Sequence, residues 1–293
     1  MKRLFLLCCC LAAAVPFSAR GESLERALRA VTDSVRATVG VAVVFGDGDT
    51  LAVNGGRCYP MLSVCKFHQA LAVLDRLDRR GLPLTTRIPV RRSDLLPGTW
   101  SPLREACPGG GRFTVAELLT YSVAQSDNNV CDVLFRFLGG TEAVDRYIAG
   151  LGIGETVIVA DEEMMHRRTD NQYLNRTTPL AAVRLLELFR RGELLSAAYG
   201  DFLLETMFAT ETGPDKLRGL LPADVAVAHK TGSSDRDGRG VKIADNDIGI
   251  VRLPDGRSYS IAVFVMDSCE DDRTNAAVIA RISRLVYDYA VRR

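Results

Sequence analysis

Strand-like sequence lies at both ends of this chain, whereas the long middle stretch is mainly helical. Small and β-branched residues surround a GDGD turn in residues 37–55, and strand-like apolar runs return after residue 211. Residues 62–210 instead carry apolar residues at helical spacing, interrupted by loops that contain Gly and Pro. This order predicts an α+β fold: an antiparallel sheet flanked by N- and C-terminal helices, with an all-helical domain inserted between its strands.

The same pattern predicts the domain boundaries and the main elements. We expect a sheet domain from residues 22–61 and 211–293, a helical domain from residues 62–210, and an active site in the cleft between them. A β-hairpin is expected in residues 37–55, and three later strands in residues 225–232, 246–254 and 258–267. The predicted helices are Glu22–Arg36, Ser63–Arg80, Asn128–Leu138, Thr141–Ala149, Pro179–Arg191, Ser196–Phe208 and Asp272–Arg293.

Residues 1–21 have the pattern of a signal peptide. A positive MKR start precedes a short apolar run, and Ala19 and Gly21 supply small residues for cleavage before Glu22. An uncleaved membrane anchor is the alternative, but the apolar run is too short to span a bilayer comfortably. The sequence therefore predicts an exported protein, located in the periplasm in a bacterium, without stable membrane association once the signal is removed.

Charge and cysteine content exclude several kinds of partner. The formal net charge is +1, and the arginines are scattered, so we expect no nucleic-acid partner. Export makes one disulfide possible, but the cysteine spacings match no zinc motif. Five cysteines follow the signal, an odd number whose pairing the spacing leaves open: Cys58, Cys65, Cys107, Cys131 and Cys269.

Ser63 and Lys66 lie at the start of a predicted buried helix. Their spacing of three residues places both side chains on one side of that helix. A serine hydroxyl is a poor nucleophile until a base withdraws its proton. An amine does so if burial or a nearby positive charge lowers its pKa, and the apolar residues that follow Lys66 imply that its amine is at least partly desolvated. Chance matches to S-x-x-K are common, so this motif alone is weak.

Two further short motifs follow in order. In S-D-N, we interpret Ser126 as a proton carrier, Asp127 as a brace or helix N-cap, and Asn128 as a donor to a substrate amide. In K-T-G, Lys230 and Thr231 would project a cation and a hydroxyl from the end of a strand. Gly232 would let a ligand approach the backbone closely. A polar turn and a solvated strand end are the structural alternatives.

The three motifs together, in this order, resemble the serine penicillin-recognising proteins, and within them the class A β-lactamases. The resemblance extends over the mature chain, including TGPDKLRGLLP before the K-T-G strand and TTPLAA at a helix start. It implies that Ser63 is acylated by the β-lactam carbonyl and that Lys66 helps to take its proton. It also implies that Ser126 passes a proton to the departing ring nitrogen.

The resemblance also implies how the substrate is held. Lys230 and Thr231 would bind the substrate carboxylate. The backbone N–H groups of Ser63 and Ser233 would form an oxyanion hole. Ser233 also has a hydroxyl at a position where many cephalosporin-hydrolysing members carry Ser or Thr.

Hydrolysis further requires a general base for water. In class A this is a glutamate ahead of TTP, and counting back from Pro179 indicates Glu162, with Glu163 as the competitor. His166 replaces the asparagine that usually helps to hold the water. Ala160 and Asn175 occupy the places of the usual Arg–Asp neck pair, and His166 with Asn175 resembles the extended-spectrum and Bacteroides-type cephalosporinase branch.

The expected function is therefore β-lactam hydrolysis with a preference for cephalosporins, by a monomer that needs no cofactor or metal. Two alternatives share the motifs: a D,D-peptidase that β-lactams merely inhibit, and a sensor domain that is acylated once. Glu162 and the compact chain weigh against the first alternative. The second normally needs a transmembrane signalling partner in the same chain.

Overall fold

The computed structural model describes residues 17–293, with side chains described from residue 21 onward. Residues 1–16 of the predicted signal peptide therefore lie outside the described residues, whereas residues 17–21 form the start of the first helix. Within residues 17–293, no helix combines the length and apolar character needed to cross a membrane.

Five antiparallel strands form the main sheet, in the order β2-β1-β9-β8-β7. The strands in the described part of the chain are β1 (Thr38–Phe45), β2 (Thr50–Val53), β3 (Tyr59–Pro60), β4 (Arg87–Arg91), β5 (Gly110–Thr114), β6 (Arg176–Thr177), β7 (Ala226–Ser233), β8 (Lys242–Arg252) and β9 (Ser258–Ser268). Strand β1 pairs with β9 from Thr38 opposite Met266 to Phe45 opposite Tyr259. This pairing joins the two ends of the chain in one sheet and confirms the predicted fold class.

Helices cover both faces of this sheet. They are α1 (Phe17–Thr32), α2 (Cys65–Arg79), α3 (Pro102–Ala106), α4 (Val115–Leu119), α5 (Asn128–Leu138), α6 (Thr141–Gly150), α7 (Glu162–Arg167), α8 (Pro179–Arg190), α9 (Ala197–Phe208) and α10 (Asp272–Val291). The terminal helices α1 and α10 pack together over one face, around a core that includes Leu28 and Ile279. The inserted helices build a second core, to which the other face contributes Ala42 and Phe264.

Two short antiparallel pairs that the periodicity did not predict lie in or next to the helical segment. Strand β4 pairs with β5, and β3 pairs with β6. Strand β4 alternates exposed and buried residues over only five positions and contains Pro89, so its strand signal is short and weak. The β3–β6 pair joins the residues just before the Ser63 turn to the loop that carries Glu162.

Candidate active site

Ser63 lies in a single 3₁₀ turn, Leu62–Val64, which leads directly into α2. The residue before it, Leu62, has φ +47°, a left-handed conformation that is unusual for a leucine. Lys66 lies in the first turn of α2 and is fully buried, with its Nζ 2.9 Å from Ser63 Oγ. The hydroxyl and the amine therefore face each other, as the spacing predicts.

The Lys66 amine has three further partners. Its Nζ lies 2.9 Å from the Ser126 carbonyl oxygen, 2.5 Å from Asn128 Oδ1 and 2.9 Å from Glu162 Oε1. Burial acts to lower the pKa of Lys66, but the Glu162 carboxylate outweighs it, so this pKa lies above its ordinary value. The predicted desolvation of Lys66 is confirmed, but the buried carboxylate beside the amine stabilises its ammonium form.

The S-D-N residues connect a π-helical turn, Thr120–Ala124, to α5. Ser126 has φ +60°, a conformation that is held at a cost and is typical of functional sites. Asp127 is the N-cap of α5: its carboxylate accepts from Val130 N, and also from Leu103 N and Ser101 Oγ. The prediction that Asp127 braces this loop is confirmed.

Lys230 extends from β7 toward Ser126. It is fully buried and donates to Ser126 Oγ and to the Thr231 carbonyl oxygen, both at 2.9 Å. Burial, reinforced by the charge of Lys66, lowers the pKa of Lys230 to about 7. The two lysines thus bracket Ser126, one at its backbone oxygen and the other at its hydroxyl.

The rest of the K-T-G segment lies at the edge of the sheet, because β7 pairs only with β8 in the main sheet. Thr231 Oγ1 is 2.6 Å from Thr212 Oγ1. A Cβ at Gly232 would lie 2.4 Å from the Met61 carbonyl oxygen and 3.2 Å from Ser63 N. The absence of a side chain at Gly232 thus lets β7 lie directly against the Ser63 turn.

Ser233 is exposed, and its hydroxyl has two charged partners. It donates to Asp245 Oδ1 at 2.7 Å and accepts from Lys216 Nζ at 2.8 Å. Lys216 and Asp245 are both buried and form an ion pair at 2.5 Å. The Ser233 proton is thus directed to Asp245, which leaves the backbone N–H as the donor this residue offers to a ligand.

Glu162 and Glu163 occupy different environments. Glu162 begins α7, its side chain is 6% exposed and it pairs with Lys66, whereas Glu163 is 50% exposed and pairs with Arg167. Only Glu162 is therefore placed beside Ser63 and Lys66. The Asp132 carboxylate on α5 accepts from the backbone N of Glu162 at 2.7 Å and of Glu163 at 3.0 Å. Burial raises the pKa of Asp132 to about 7, and the Glu162 charge adds to this effect.

His166 lies on α7, one turn after Glu162. Its Nδ1 is 2.7 Å from the Glu162 carbonyl oxygen, and its Nε2 is 3.2 Å from Thr99 Oγ1. Thr99 Oγ1 also accepts from Asn128 Nδ2 at 2.8 Å. Asn128 therefore contacts Lys66 with its oxygen and Thr99 with its nitrogen. A ring of contacts runs from Lys66 through Asn128, Thr99 and His166 back to Glu162.

The loop that carries Glu162 is closed at its neck, where residues 159–160 meet Asn175. The side-chain amide of Asn175 holds this neck in place of an ion pair. Asn175 Oδ1 accepts from the backbone N of Val159 and of Ala160, both at 2.9 Å. Its Nδ2 donates to the Ala160 carbonyl oxygen at 2.7 Å, and its own carbonyl accepts from Met61 N at 2.9 Å. The loop is therefore tied to the strand residues that precede Ser63.

The structure brings all ten predicted site residues to one region, together with several neighbours that no sequence motif indicated. Thr99, Trp100 and Asp132 belong to no motif, and only contacts across the fold reveal them. Trp100 is 57% exposed and is fixed by a hydrogen bond from its Nε1 to the Gln125 carbonyl oxygen. In residues 17–293, no three His, Cys, Asp or Glu side chains are grouped as a metal site requires.

Comparison with known proteins agrees with this geometry. Residues 23–290 match the model of the "Beta-lactamase enzyme family". The chain is 48% identical to a β-lactamase of Bacteroides uniformis, over 90% of each chain. It is 41% identical to the extended-spectrum β-lactamase PER-1 of Pseudomonas aeruginosa, over 94% of this chain and 90% of that protein. A solved class A β-lactamase from Bacteroides cellulosilyticus superposes with a TM-score of 0.89 at 46% identity, covering 92% of this chain and 98% of the other. The chain therefore belongs to the β-lactamase enzyme family, and within it to the class A serine β-lactamases.

Proposed function

We propose that this enzyme opens β-lactam rings by transferring the acyl group to Ser63 and then to water activated by Glu162, with a preference for cephalosporins. One observation carries the proposal: Lys66 Nζ lies 2.9 Å from both Ser63 Oγ and Glu162 Oε1. Nucleophile, amine and carboxylate are thus connected through a single atom. This arrangement serves both acylation and deacylation.

Activation of Ser63 begins from a charged Lys66. Because its pKa is raised, the amine is an ammonium in the free enzyme and has no lone pair with which to accept the serine proton. Transfer of one proton from Lys66 to Glu162 frees that lone pair. The neutral amine then accepts the proton of Ser63 as its Oγ attacks the β-lactam carbonyl.

Ser126 completes the acylation step. Its hydroxyl, held by Lys230, lies between the two lysines and supplies the proton that the departing ring nitrogen needs. Removal of that proton leaves an alkoxide, which the neighbouring ammonium groups stabilise. A proton from Lys66 then restores the Ser126 hydroxyl.

Substrate binding is assigned to the edge of β7. The Lys230 ammonium and the Thr231 hydroxyl bind the substrate carboxylate. The backbone N–H groups of Ser63 and Ser233 stabilise the oxyanion, supported by the close packing of Gly232 on the Ser63 turn. Asn128 donates its second amide hydrogen to the substrate side-chain amide.

Deacylation is assigned to water held by Glu162. The proton that Glu162 took up during acylation first returns to the neutral Lys66 amine, 2.9 Å away, so that the carboxylate can act as the base. Both ring nitrogens of His166 already have protein partners, so His166 acts on the water indirectly, by fixing the backbone of Glu162. His166 is thus a positioning residue for Glu162.

A cephalosporin preference is supported by likeness to the named extended-spectrum enzyme and by the unusual loop neck. Asn175 holds the neck of the loop through backbone hydrogen bonds, and His166 anchors the loop to Thr99. These contacts replace those of the usual Arg–Asp neck pair. Trp100, whose carbonyl oxygen accepts from Asn128 N at 3.0 Å, adds an exposed aromatic ring next to the site that suits bulky side chains.

We also propose that the enzyme acts as a periplasmic monomer. Export is supported by the MKR start, the short apolar run and the small residues before Glu22. We assign the site to the boundary between a sheet domain and an inserted helical domain, and this assignment is supported by the positions of Lys230 on β7 and Lys66 on α2.

The test uses purified residues 22–293 with a chromogenic cephalosporin, beside Glu162→Gln and Glu163→Gln variants. We expect sustained turnover by the parent and by Glu163→Gln, because Glu163 is exposed. Glu162→Gln removes the carboxylate that keeps the pKa of Lys66 high, so burial leaves the amine free to take the Ser63 proton directly. This variant should therefore release one equivalent of product and then stall as an acyl-enzyme, visible by intact mass. If Glu162→Gln turned over like the parent, Glu162 would not be the base.

A further inference from the structure

Two of the five cysteines after the signal lie together beneath the active site. Cys65 is the first residue of α2, between Ser63 and Lys66, and Cys131 lies on α5, one turn after Asn128. Both are completely buried, and their thiol groups are within hydrogen-bonding distance of each other. The mechanism uses neither of them.

Helix packing explains why these two thiols meet. Residues four apart lie on one face of a helix, so Cys65 and Gln69 face the same neighbour. Gln69 Nε2 donates to the Cys131 carbonyl oxygen at 2.9 Å, which places that face of α2 against α5 at Cys131. The remaining cysteines differ: Cys58 and Cys269 are exposed, and Cys107 is half-buried.

We propose that Cys65 and Cys131 form a disulfide bond when the exported chain folds in an oxidising compartment, cross-linking α2 to α5 under the catalytic residues. The inference rests on the proposed export, since disulfides persist outside the cytoplasm. The oxidant is a small-molecule or protein disulfide. One cysteine thiolate attacks it and releases a thiol, and the second thiolate displaces the other thiol from the mixed disulfide. Two cysteine thiols thus lose two electrons and two protons, and the oxidant becomes two thiols.

Oxidation belongs to the folding reaction rather than to the finished protein. Complete burial excludes an oxidant from both sulfur atoms in the native state. Burial, together with the contact with Cys65, also raises the pKa of the Cys131 thiol, and the thiolate is the attacking species. The bond therefore forms during folding, before α2 and α5 are fully packed together. The folded core then shields it from reductants.

The experiment follows the cross-link itself, so its result does not depend on β-lactam turnover. Residues 22–293 are refolded from denaturant in a buffer rich in oxidised glutathione, free thiols are alkylated, and the product is examined by intact mass and by non-reducing peptide mapping. We expect one peptide pair joined through Cys65 and Cys131. We also expect Tm to be higher than that of the reduced protein by about 5–10 °C, since the bond closes a loop of about 65 residues.

Matched variants identify the pair. Cys131→Ala should abolish the linked peptide and the Tm difference, whereas Cys107→Ser should keep both. Alkylated Cys65 and Cys131 after oxidative refolding of the parent would overturn the proposal, as would a linked peptide that joins either residue to another cysteine. The cysteine pairing is measured in the parent protein itself. A variant that folds poorly therefore does not prevent the test from supporting or overturning the proposal.

Discussion

Two buried lysines lie in the same cleft, and their pKa values are displaced in opposite directions. Lys66 is paired with the Glu162 carboxylate, which keeps its pKa above the ordinary value against the effect of burial. Lys230 is equally buried, but in the described part of the chain its hydrogen-bond partners are a hydroxyl and a carbonyl, so burial dominates and its pKa falls to about 7. A neighbouring carboxylate thus decides which lysine stays charged.

The Lys230 shift predicts how cephalosporin hydrolysis depends on pH. In the proposed mechanism, only the ammonium form of Lys230 binds the substrate carboxylate, and this form is lost as the pH rises through about 7. We therefore expect kcat/KM, which reports the free enzyme, to fall above that pH. Lys230→Arg should move this fall to higher pH, because a guanidinium keeps its charge. Asp132 has its pKa in the same range, so Asp132→Asn is the control, and disappearance of the alkaline fall in that variant would contradict the assignment.

The Thr99 hydroxyl joins Asn128 to His166, so its removal should reduce the rate of hydrolysis. Thr99→Val keeps the shape but removes both hydrogen bonds, so we expect a loss of about 1–2 kcal/mol of transition-state stabilisation, roughly 5- to 30-fold in kcat. Thr99→Ser should retain most of the activity. Steady-state kinetics and acyl-enzyme accumulation by mass spectrometry measure this, and a change confined to KM would argue for substrate contact instead.

At the scale of elements, the site depends on how closely β7 approaches the start of α2. Gly232 allows this approach, since a Cβ there would press on the backbone oxygen of Met61 at 2.4 Å. We expect Gly232→Ala to push the strand from the Ser63 turn, to lower stability by about 1–3 kcal/mol and to reduce acylation. The comparison is Gly238→Ala, on an exposed loop where a Cβ meets no atom within 4 Å. Equal Tm and acylation rates in the two variants would contradict this role.

At the scale of the whole molecule, the sheet separates two cores, and only one of them supports the site. Ile279 on α10 is fully buried in the core under the terminal helices, on the face opposite the inserted helices. We expect Ile279→Ala to lower the free energy of unfolding by about 2–4 kcal/mol, as for other large-to-small core changes. It should leave kcat unchanged at temperatures where the protein stays folded. Thermal unfolding and kinetics test this, with Val291→Ala, 47% exposed on the same helix, as the control.

The elements followed closely from local patterns. Helix α5 runs over Asn128–Leu138 as predicted, because Asp127 caps its start and Gly139, in a left-handed conformation, ends it. The hairpin of β1 and β2 was equally clear from its GDGD turn and β-branched flanks. By contrast, β4, β5 and the π-helical turn before Ser126 were missed, because they are short and are stabilised by neighbours distant in sequence.

The sequence by itself determined the order of the elements, the fold class and the three motifs, because periodicity, turn residues and short spacings are local properties. For the base, the sequence favoured Glu162 over Glu163, and the tertiary structure showed that Glu162 is the one that faces Lys66. Tertiary structure alone decided that Lys66 is paired with a carboxylate and that Thr99 and Asp132 lie beside the predicted residues. It also brought Cys65 and Cys131 together. Each of these features depends on a contact between residues far apart in the chain, and on burial that makes such contacts electrostatically strong.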